Sequence, residues 1–191
     1  MSSSKNSSAK RKAVFLDRDG TLNVNFGYVH RKQEWEWISG SVTGLKHLQD
    51  AGFSLVIVTN QAGIARGYYQ PSDVEALHEW MQAELLSEGV KISGIYYCPH
   101  HPDFGAVKHC SCRKPEPGMI IQAAHDLNLD LSTSWIIGDQ YSDARAGLRA
   151  GTKAIVIGQA NNFSYPMDDV SEAMHHAPDM TAAVTIILAH K

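Results

Sequence analysis

Short, continuous apolar runs recur along the chain, separated by stretches with helical periodicity. The first run, Ala13–Leu16, is apolar at every position, and Ser54–Thr59 is apolar at most positions. Such continuity is typical of strands buried on both faces of a parallel sheet, because half-buried strands alternate apolar and polar residues. Three further runs fit the same pattern: Ser93–Cys98, Ser134–Asp139 and Lys153–Gly158.

Helical patterns fill the segments between these runs. In Gln70–Gly89, apolar residues at positions 74, 77, 81 and 85 line one face, Pro71 suits the first turn and the final glycine is a natural stop. This alternation of strand and helix predicts a doubly wound α/β fold with a mainly parallel, Rossmann-like sheet, in which ligands bind beyond the carboxyl ends of the strands. The other predicted helices lie within Gly40–Gly52, Pro117–Leu129, Tyr141–Gly151 and Asp179–His190.

Length and composition are typical of one domain, which we expect to span residues 13–191, since 43% of the 191 residues are hydrophobic. Residues 1–12 are polar and basic and lack the apolar stretch of a signal peptide, so we expect them to form a disordered tail. We expect residues 158–169 to form a surface loop. The formal net charge of −3 offers no basic footprint for nucleic acid or anionic membrane, and no run approaches the roughly 18 apolar residues of a membrane span. We therefore expect a cytoplasmic protein without nucleic-acid or membrane partners. We also expect a monomer, because an open domain needs no partner to complete its site.

Two carboxylates, Asp17 and Asp19, follow the first apolar run directly. Carboxylates this close repel each other unless one is protonated or a cation lies between them, and Mg²⁺ prefers oxygen ligands of this kind. One carboxylate could then attack phosphorus while the other handles the proton of the leaving group. Taken alone, the pair is equally compatible with a capped turn that carries two solvated acids.

Polar clusters follow three other predicted strands. Thr59–Asn60 could hold phosphate oxygens or form a simple turn, and Arg113–Lys114 could bind phosphate or form a solvated basic pair. Asp139 could complete a metal site, whereas Asp143 could instead begin the next helix, where an acid is favourable. Because the carboxyl ends of parallel strands share one edge of the sheet, these clusters point to a common site.

All three cysteines of the chain, Cys98, Cys110 and Cys112, fall within one short loop. An odd count without a signal peptide argues against a disulfide framework, and three thiolates with one imidazole form a closed structural Zn²⁺ site. By chemistry the fourth ligand could be His100, His101 or His109, although the C-x-H spacing of the first mirrors the C-x-C pair. The alternative is three free cysteines on a mobile loop. Zinc would order the loop over residues 98–112 and thereby fix the positions of Arg113 and Lys114, the two cations that follow it.

The order D-x-D, T-N, R-K and G-D-x-x-x-D resembles the phosphatases of the haloacid dehalogenase superfamily. The resemblance implies that Asp17 is the nucleophile that becomes an aspartyl phosphate and that Asp19 is the general acid/base. It implies that Thr59 and Lys114 hold the phosphoryl group. Mg²⁺ would be bound by Asp17, by the main-chain carbonyl of Asp19 and by Asp139.

Within the superfamily, the motifs FLDRDGTLN, GYVH, VTNQAGIARG, YYCPHHP and CSCRKPEPGM resemble the capless, zinc-bearing heptose-bisphosphate phosphatases over residues 13–158. This resemblance implies a sugar-phosphate substrate and zinc held by Cys98, His100, Cys110 and Cys112. Family members often carry an acid where this chain has Asn25 and a lysine where it has Gln140. The implied substrate-binding residues are Asn25, Phe26, Gly27, Tyr28, Asn60, Gln61, Arg113 and Gln140.

Three alternative functions remain to be weighed, of which the first stays open and the other two are disfavoured. Histidinol-phosphate phosphatases share the aspartates and the zinc loop with this sequence, so the substrate class is not fixed by the motifs. A zinc-braced module that binds sugar phosphates without hydrolysing them is disfavoured, because a pure binding protein does not need both Asp17 and Asp19. A DNA 3′-end phosphatase is disfavoured because the chain has no basic stripe.

Overall fold

The computed structural model describes residues 9–158 and 173–190. Residues 1–8 of the predicted tail, and the predicted surface loop apart from Gly158, lie outside the described residues. The strands are β1 (Ala13–Leu16), β2 (Ser54–Asn60), β3 (Ile92–Cys98), β4 (Trp135–Gly138), β5 (Lys153–Ile157) and β6 (Met174–Ala177). The helices are α1 (Ser41–Asp50), α2 (Pro71–Ser87), α3 (Gly118–Asp126), α4 (Tyr141–Ala150) and α5 (Met180–Ala189).

The strands form one six-stranded parallel sheet in the order β3-β2-β1-β4-β5-β6. The predicted α/β fold with a parallel sheet is therefore confirmed. β1 lies between β2 and β4, with Phe15 opposite Val56 on one side and Ile136 on the other. The strand order reverses beside β1, which makes its carboxyl end the topological switch point where such sheets bind ligands.

Side chains of β1 alternate between two hydrophobic layers. Val14 and Leu16 belong to the layer that packs against α1, α2 and α5, whereas Phe15 belongs to the layer beneath α3 and α4. Every residue of β1 is completely buried, which explains the continuous apolar run in the sequence. Because burying a large apolar side chain contributes about 1.5–3 kcal/mol, this strand is a rigid base for the polar residues that follow it.

Arg11 and Lys12, which belong to the predicted tail, contact the fold. The backbone of Arg11 pairs with the segment around Leu129, and the Lys12 ammonium lies 4.1 Å from the centre of the Phe53 ring. Among the residues described, no helix has the length and apolar character needed to cross a bilayer.

Candidate active site

The carboxyl ends of β1, β2 and β4 open into a cavity of about 470 Å³. Every residue that the sequence assigned to catalysis, magnesium or substrate lines this cavity, except Phe26. Phe26 does not line the cavity and is 62% exposed to solvent. The sheet topology thus assembles in one place residues that lie as far apart in sequence as Asp17 and Gln140.

A buried ion-pair cluster centred on Lys114 forms the floor of the cavity. The Lys114 Nζ lies 2.7 Å from Asp17 Oδ1 and 2.6 Å from Asp143 Oδ1, and it donates a hydrogen bond of 2.8 Å to the Val58 carbonyl. Burial alone would lower the pKa of Lys114, but the two carboxylates outweigh it and raise that pKa above its usual range. Burial raises the pKa of Asp17 to about 6, although the Lys114 ammonium opposes this shift. Lys114 is therefore a fixed positive charge next to the candidate nucleophile.

Asn60 holds the backbone of Lys114 from the neighbouring strand. Its Nδ2 donates to the Lys114 carbonyl and its Oδ1 accepts from the Lys114 amide, each at 3.1 Å. The sequence predicted that Asn60 binds substrate, and it does line the cavity. Its amide is committed to Lys114, so its clearest contribution is to place the lysine.

Asp19 has a different set of partners from Asp17. Arg18 Nη2 donates to both of its carboxylate oxygens, at 3.0 and 2.8 Å. Asn23 Nδ2 donates to Oδ1 at 3.0 Å and Gln61 Nε2 donates to Oδ2 at 3.1 Å. The two acids of the D-x-D motif are thus paired with different cations, Asp17 with Lys114 and Asp19 with Arg18.

Gln61 links Asp19 to the phosphate-binding candidate Thr59. Its Nε2 also donates to Thr59 Oγ1 at 2.9 Å, and its Oε1 accepts from the Tyr69 hydroxyl at 2.9 Å. Burial raises the pKa of Tyr69 to about 12, which keeps its hydroxyl protonated as a donor. Sequence reasoning missed Tyr69 because nothing in the local pattern points it toward the strand ends.

Oxygen atoms of Asp17, Asp139 and Asp143 lie within 4.8 Å of one another and could hold a divalent cation. Asp139 Oδ1 is buried and has no hydrogen-bond partner among the described residues. A buried oxygen atom without a partner is expected where the atom binds a metal ion. Burial, followed by the Asp17 charge, raises the pKa of Asp139 to about 6, so a cation would relieve an unfavourable charge there. Gly20 is required beside it, since a Cβ at that position would lie 2.3 Å from Asp139 Oδ2.

Asp143 helps to begin helix α4, the role that the sequence offered for it, and also makes an ion pair that the sequence did not predict. The Oδ2 atom of Asp143 accepts a hydrogen bond of 3.0 Å from the backbone N–H of Gln140 and so caps the first turn of α4. Its Oδ1 pairs with Lys114. The Gln140 side chain donates from Nε2 to Asp139 Oδ2 at 2.8 Å. The neutral side-chain amide of Gln140 therefore holds the candidate metal ligand Asp139 in place without adding a charge.

Cys98, His100, Cys110 and Cys112 form a second cluster whose ligand atoms all lie within 4.8 Å of one another. The 3.7 Å distance from Cys98 Sγ to Cys110 Sγ and the 3.4 Å distance from Cys112 Sγ to His100 Nδ1 suit tetrahedral Zn²⁺ with metal–sulfur bonds of about 2.3 Å, whereas Cys98 Sγ and Cys112 Sγ, at 3.1 Å, lie closer than such a site requires. His101 is instead within 3.3 Å of Arg66 and accepts from the Asp103 amide. Among the three histidines considered, the geometry thus favours His100 as the fourth ligand.

The zinc-ligand cluster is connected to the cavity through Arg113. Arg113 Nη1 donates to the His100 carbonyl at 3.1 Å, and Arg113 also lines the cavity. Gly118 packs against the same loop so closely that a Cβ there would lie 2.3 Å from the Ser111 carbonyl. The position of the guanidinium therefore depends on the fold of the cysteine loop.

The segment Asn25–Tyr28 contributes three exposed residues, Asn25, Gly27 and Tyr28, to the rim of the cavity. Asn25 Oδ1 accepts a hydrogen bond from the Gly27 amide, and Gly27 and Tyr28 both have positive φ, at 80° and 57°. The Tyr28 ring packs edge-on against Tyr68 at 4.8 Å. Gly27 adopts positive φ without strain, and the turn leaves Tyr28 partly exposed at the cavity rim.

Comparison with known proteins identifies the family. A family model described as HAD-hydrolase-like matches residues 111–183. The heptose-bisphosphate phosphatase of Pasteurella multocida (strain Pm70) is 48% identical over 149 residues, which cover 77% of this chain and 81% of the relative. That of Escherichia coli (strain K12) is 47% identical over 150 residues, which cover 75% and 78%.

A solved structure gives the same result. The D,D-heptose 1,7-bisphosphate phosphatase from B. bronchiseptica, complexed with magnesium and phosphate, matches with a TM-score of 0.81 and 30% identity. The match covers 94% of this chain and 99% of that chain. With its site geometry and these relatives, the chain belongs to the D-glycero-beta-D-manno-heptose-1,7-bisphosphate 7-phosphatase family of HAD-like hydrolases.

Proposed function

We propose that this chain removes the C7 phosphate of D-glycero-β-D-manno-heptose 1,7-bisphosphate through an aspartyl phosphate on Asp17. The observation that carries the proposal is the 2.7 Å pairing of Asp17 with the buried Lys114 at the floor of an open cavity. A nucleophilic carboxylate beside a fixed cation is what attack on an anionic phosphate requires. The names of the relatives support the substrate and the anomer. By the same resemblance, the product serves the synthesis of heptose precursors of lipopolysaccharide.

The reaction proceeds in two displacements. Asp17 attacks phosphorus, forming a carboxylate–phosphorus bond while the bond from phosphorus to the C7 oxygen breaks and Asp19 gives that oxygen a proton. Asp19 then removes a proton from water, which attacks phosphorus and breaks the bond to Asp17. Inorganic phosphate leaves, and both aspartates return to their initial state.

Charge stabilisation and positioning supply most of the rate enhancement. Hydrolysis of phosphate monoesters is very slow without a catalyst, so the site must lower the barrier by about 20 kcal/mol. Lys114 and Thr59 contact the phosphoryl oxygens in this proposal. Asp17, Asp139 and the main-chain carbonyl of Asp19 would hold Mg²⁺, whose charge offsets that of the phosphoryl group. The unpartnered Oδ1 of Asp139 and the magnesium-bound relative support this ligand set.

The open cavity leaves room for the rest of a sugar bisphosphate. Arg113 is the second cation on its wall, so we assign it the C1 phosphate, which a guanidinium can bind with two parallel hydrogen bonds. Asn25, Gly27 and Tyr28 line the cavity and would contact the sugar, as would Gln61 and Gln140.

Substrate preference provides the direct test. We expect kcat/KM for heptose 1,7-bisphosphate to exceed that for fructose 1,6-bisphosphate and for histidinol phosphate by about 10²-fold or more, because histidinol phosphate lacks a second phosphate and fructose 1,6-bisphosphate carries its two phosphates at a different spacing. Phosphorus NMR of the product should show that the C1 phosphate remains. A preference for histidinol phosphate would support the alternative enzyme, and equal values would leave only a general phosphatase.

We also propose that the cysteine cluster binds one structural Zn²⁺ on Cys98, His100, Cys110 and Cys112. Elemental analysis should give one zinc per chain. Cys110→Ser should lower the melting temperature strongly, since zinc binding of about 10–16 kcal/mol can order a loop that has no core of its own. His109→Gln is the matched control, because this residue of the same loop is not part of the cluster. A zinc-free preparation with full activity and unchanged melting would contradict the assignment.

A further inference from the structure

Arg18, the residue between the two motif aspartates, is completely buried. A buried guanidinium is costly unless it is paired, and its charged partner is Asp19, at 2.8 Å from Nη2 to Oδ2. The same Nη2 also donates to the Val29 carbonyl, just beyond the Asn25–Tyr28 rim, and lies 3.4 Å from Gln61 Oε1. One nitrogen therefore contacts the proposed acid/base, the backbone next to Tyr28 and the cavity residue Gln61.

The other end of the guanidinium is anchored on helix α2. Arg18 Nη1 lies 3.1 Å from Nε2 of His78, a residue that is only 5% exposed. Because arginine offers donors only, His78 Nε2 must accept this hydrogen bond, and the ring is neutral with its proton on Nδ1. Burial and then the Arg18 charge lower the pKa of His78 to about 3, consistent with a neutral ring. His78 does not line the cavity.

We propose that Arg18 and His78 are positioning residues for the acid/base: His78 fixes the guanidinium of Arg18, which in turn fixes the carboxylate of Asp19. This inference rests on the proposed role of Asp19. A general acid acts only within hydrogen-bond reach of the leaving oxygen, and errors of about 1 Å cost large factors in rate. The Arg18 guanidinium, held by His78 at one nitrogen and by Asp19 at the other, restricts the position of the Asp19 carboxylate in this way. An arginine with only a structural role would not need the acid/base as its charged partner.

The test compares leaving groups. Heptose 1,7-bisphosphate releases a strongly basic alkoxide that needs a proton, whereas p-nitrophenyl phosphate releases a weakly basic phenolate that needs little help. His78→Leu removes the acceptor while keeping an apolar fill, and His78→Gln retains a carbonyl oxygen near the position of Nε2. We expect His78→Leu to lower kcat/KM about tenfold for the heptose substrate and less than about twofold for p-nitrophenyl phosphate. His78→Gln should restore most of the loss.

Two controls separate positioning from folding. Leu85→Ala removes a buried side chain of the same helix away from Arg18, so it should lower stability and leave the ratio of the two kcat/KM values unchanged. His78→Met is measured as a second variant, because the flexible methionine side chain adapts more easily to the site. It provides the test if His78→Leu does not fold. Equal losses on both substrates, or no loss, in the folded His78 variant would overturn the inference.

Failure of the proposed function is distinguishable from failure of this inference. Asp19→Asn should itself show the leaving-group-selective loss, and more strongly than the His78 variants. If the unmodified enzyme does not hydrolyse the heptose substrate, or if Asp19→Asn affects both substrates equally, the proposed function or the role of Asp19 is wrong. If both behave as expected and only the His78 variants do not, the positioning pair alone is wrong.

Discussion

Asp17→Asn should abolish phosphate release, with a loss of about 10⁴-fold or more in kcat, while the protein stays folded. An amide cannot form the acyl phosphate, but its oxygen can still accept the hydrogen bond from Lys114 Nζ that Asp17 Oδ1 accepts at 2.7 Å. The packing of the site is therefore preserved and only the nucleophile is lost. Phosphate release and thermal melting, measured on the same preparation, check the two halves of this expectation.

Asp139→Asn is the matched control for this result. It changes a carboxylate at the same cavity without removing the nucleophile, so its activity should fall less and recover in part at high magnesium concentration. Acid quenching during turnover should trap phosphate on the unmodified chain and on the Asp139 variant but not on the Asp17 variant. Phosphoenzyme on a chain that lacks the Asp17 carboxylate would show that another group attacks phosphorus.

The central strands were predictable from the sequence because burial on both faces leaves a continuous apolar run. β1 and β4 are completely buried, and both were predicted. β6 was not predicted, because this four-residue edge strand places two exposed histidines, His175 and His176, between buried ends. A short strand at a sheet edge buries too little surface to leave such a signal.

The residues at the strand ends could be selected from the sequence because a doubly wound sheet brings those ends together. Their individual partners could not. Asn60 binds the backbone of a residue 54 positions later, and Arg18 meets His78 across 60 positions. Such contacts are set by how α2 and the cysteine loop pack on the sheet, and local spacing carries no record of them. Arg18 was overlooked for this reason, although it stands inside the motif.

Lys114→Met should remove activity and also destabilise the fold by about 3–5 kcal/mol. Lys114 is the cation between Asp17 and Asp143, which are 8% and 1% exposed. Without it, two buried carboxylates face each other uncompensated, and the phosphoryl group loses a fixed positive charge. Urea unfolding in the presence of a chelator measures the stability term apart from any contribution of bound magnesium, and phosphate release measures the activity.

The double variant Lys114→Met/Asp143→Asn separates these two consequences. An amide at position 143 can still accept the hydrogen bond from the Gln140 amide that caps α4, so the helix start is retained while one of the two opposed charges is removed. Stability should therefore recover by a large part of the loss, because removing both partners of a buried pair costs less than removing one. Activity should not recover, since no cation replaces the lysine at the phosphoryl group. Recovered turnover would show that Lys114 serves only to balance charge in the folded protein, whereas full stability of Lys114→Met alone would show that the buried cluster is not held together by this ion pair.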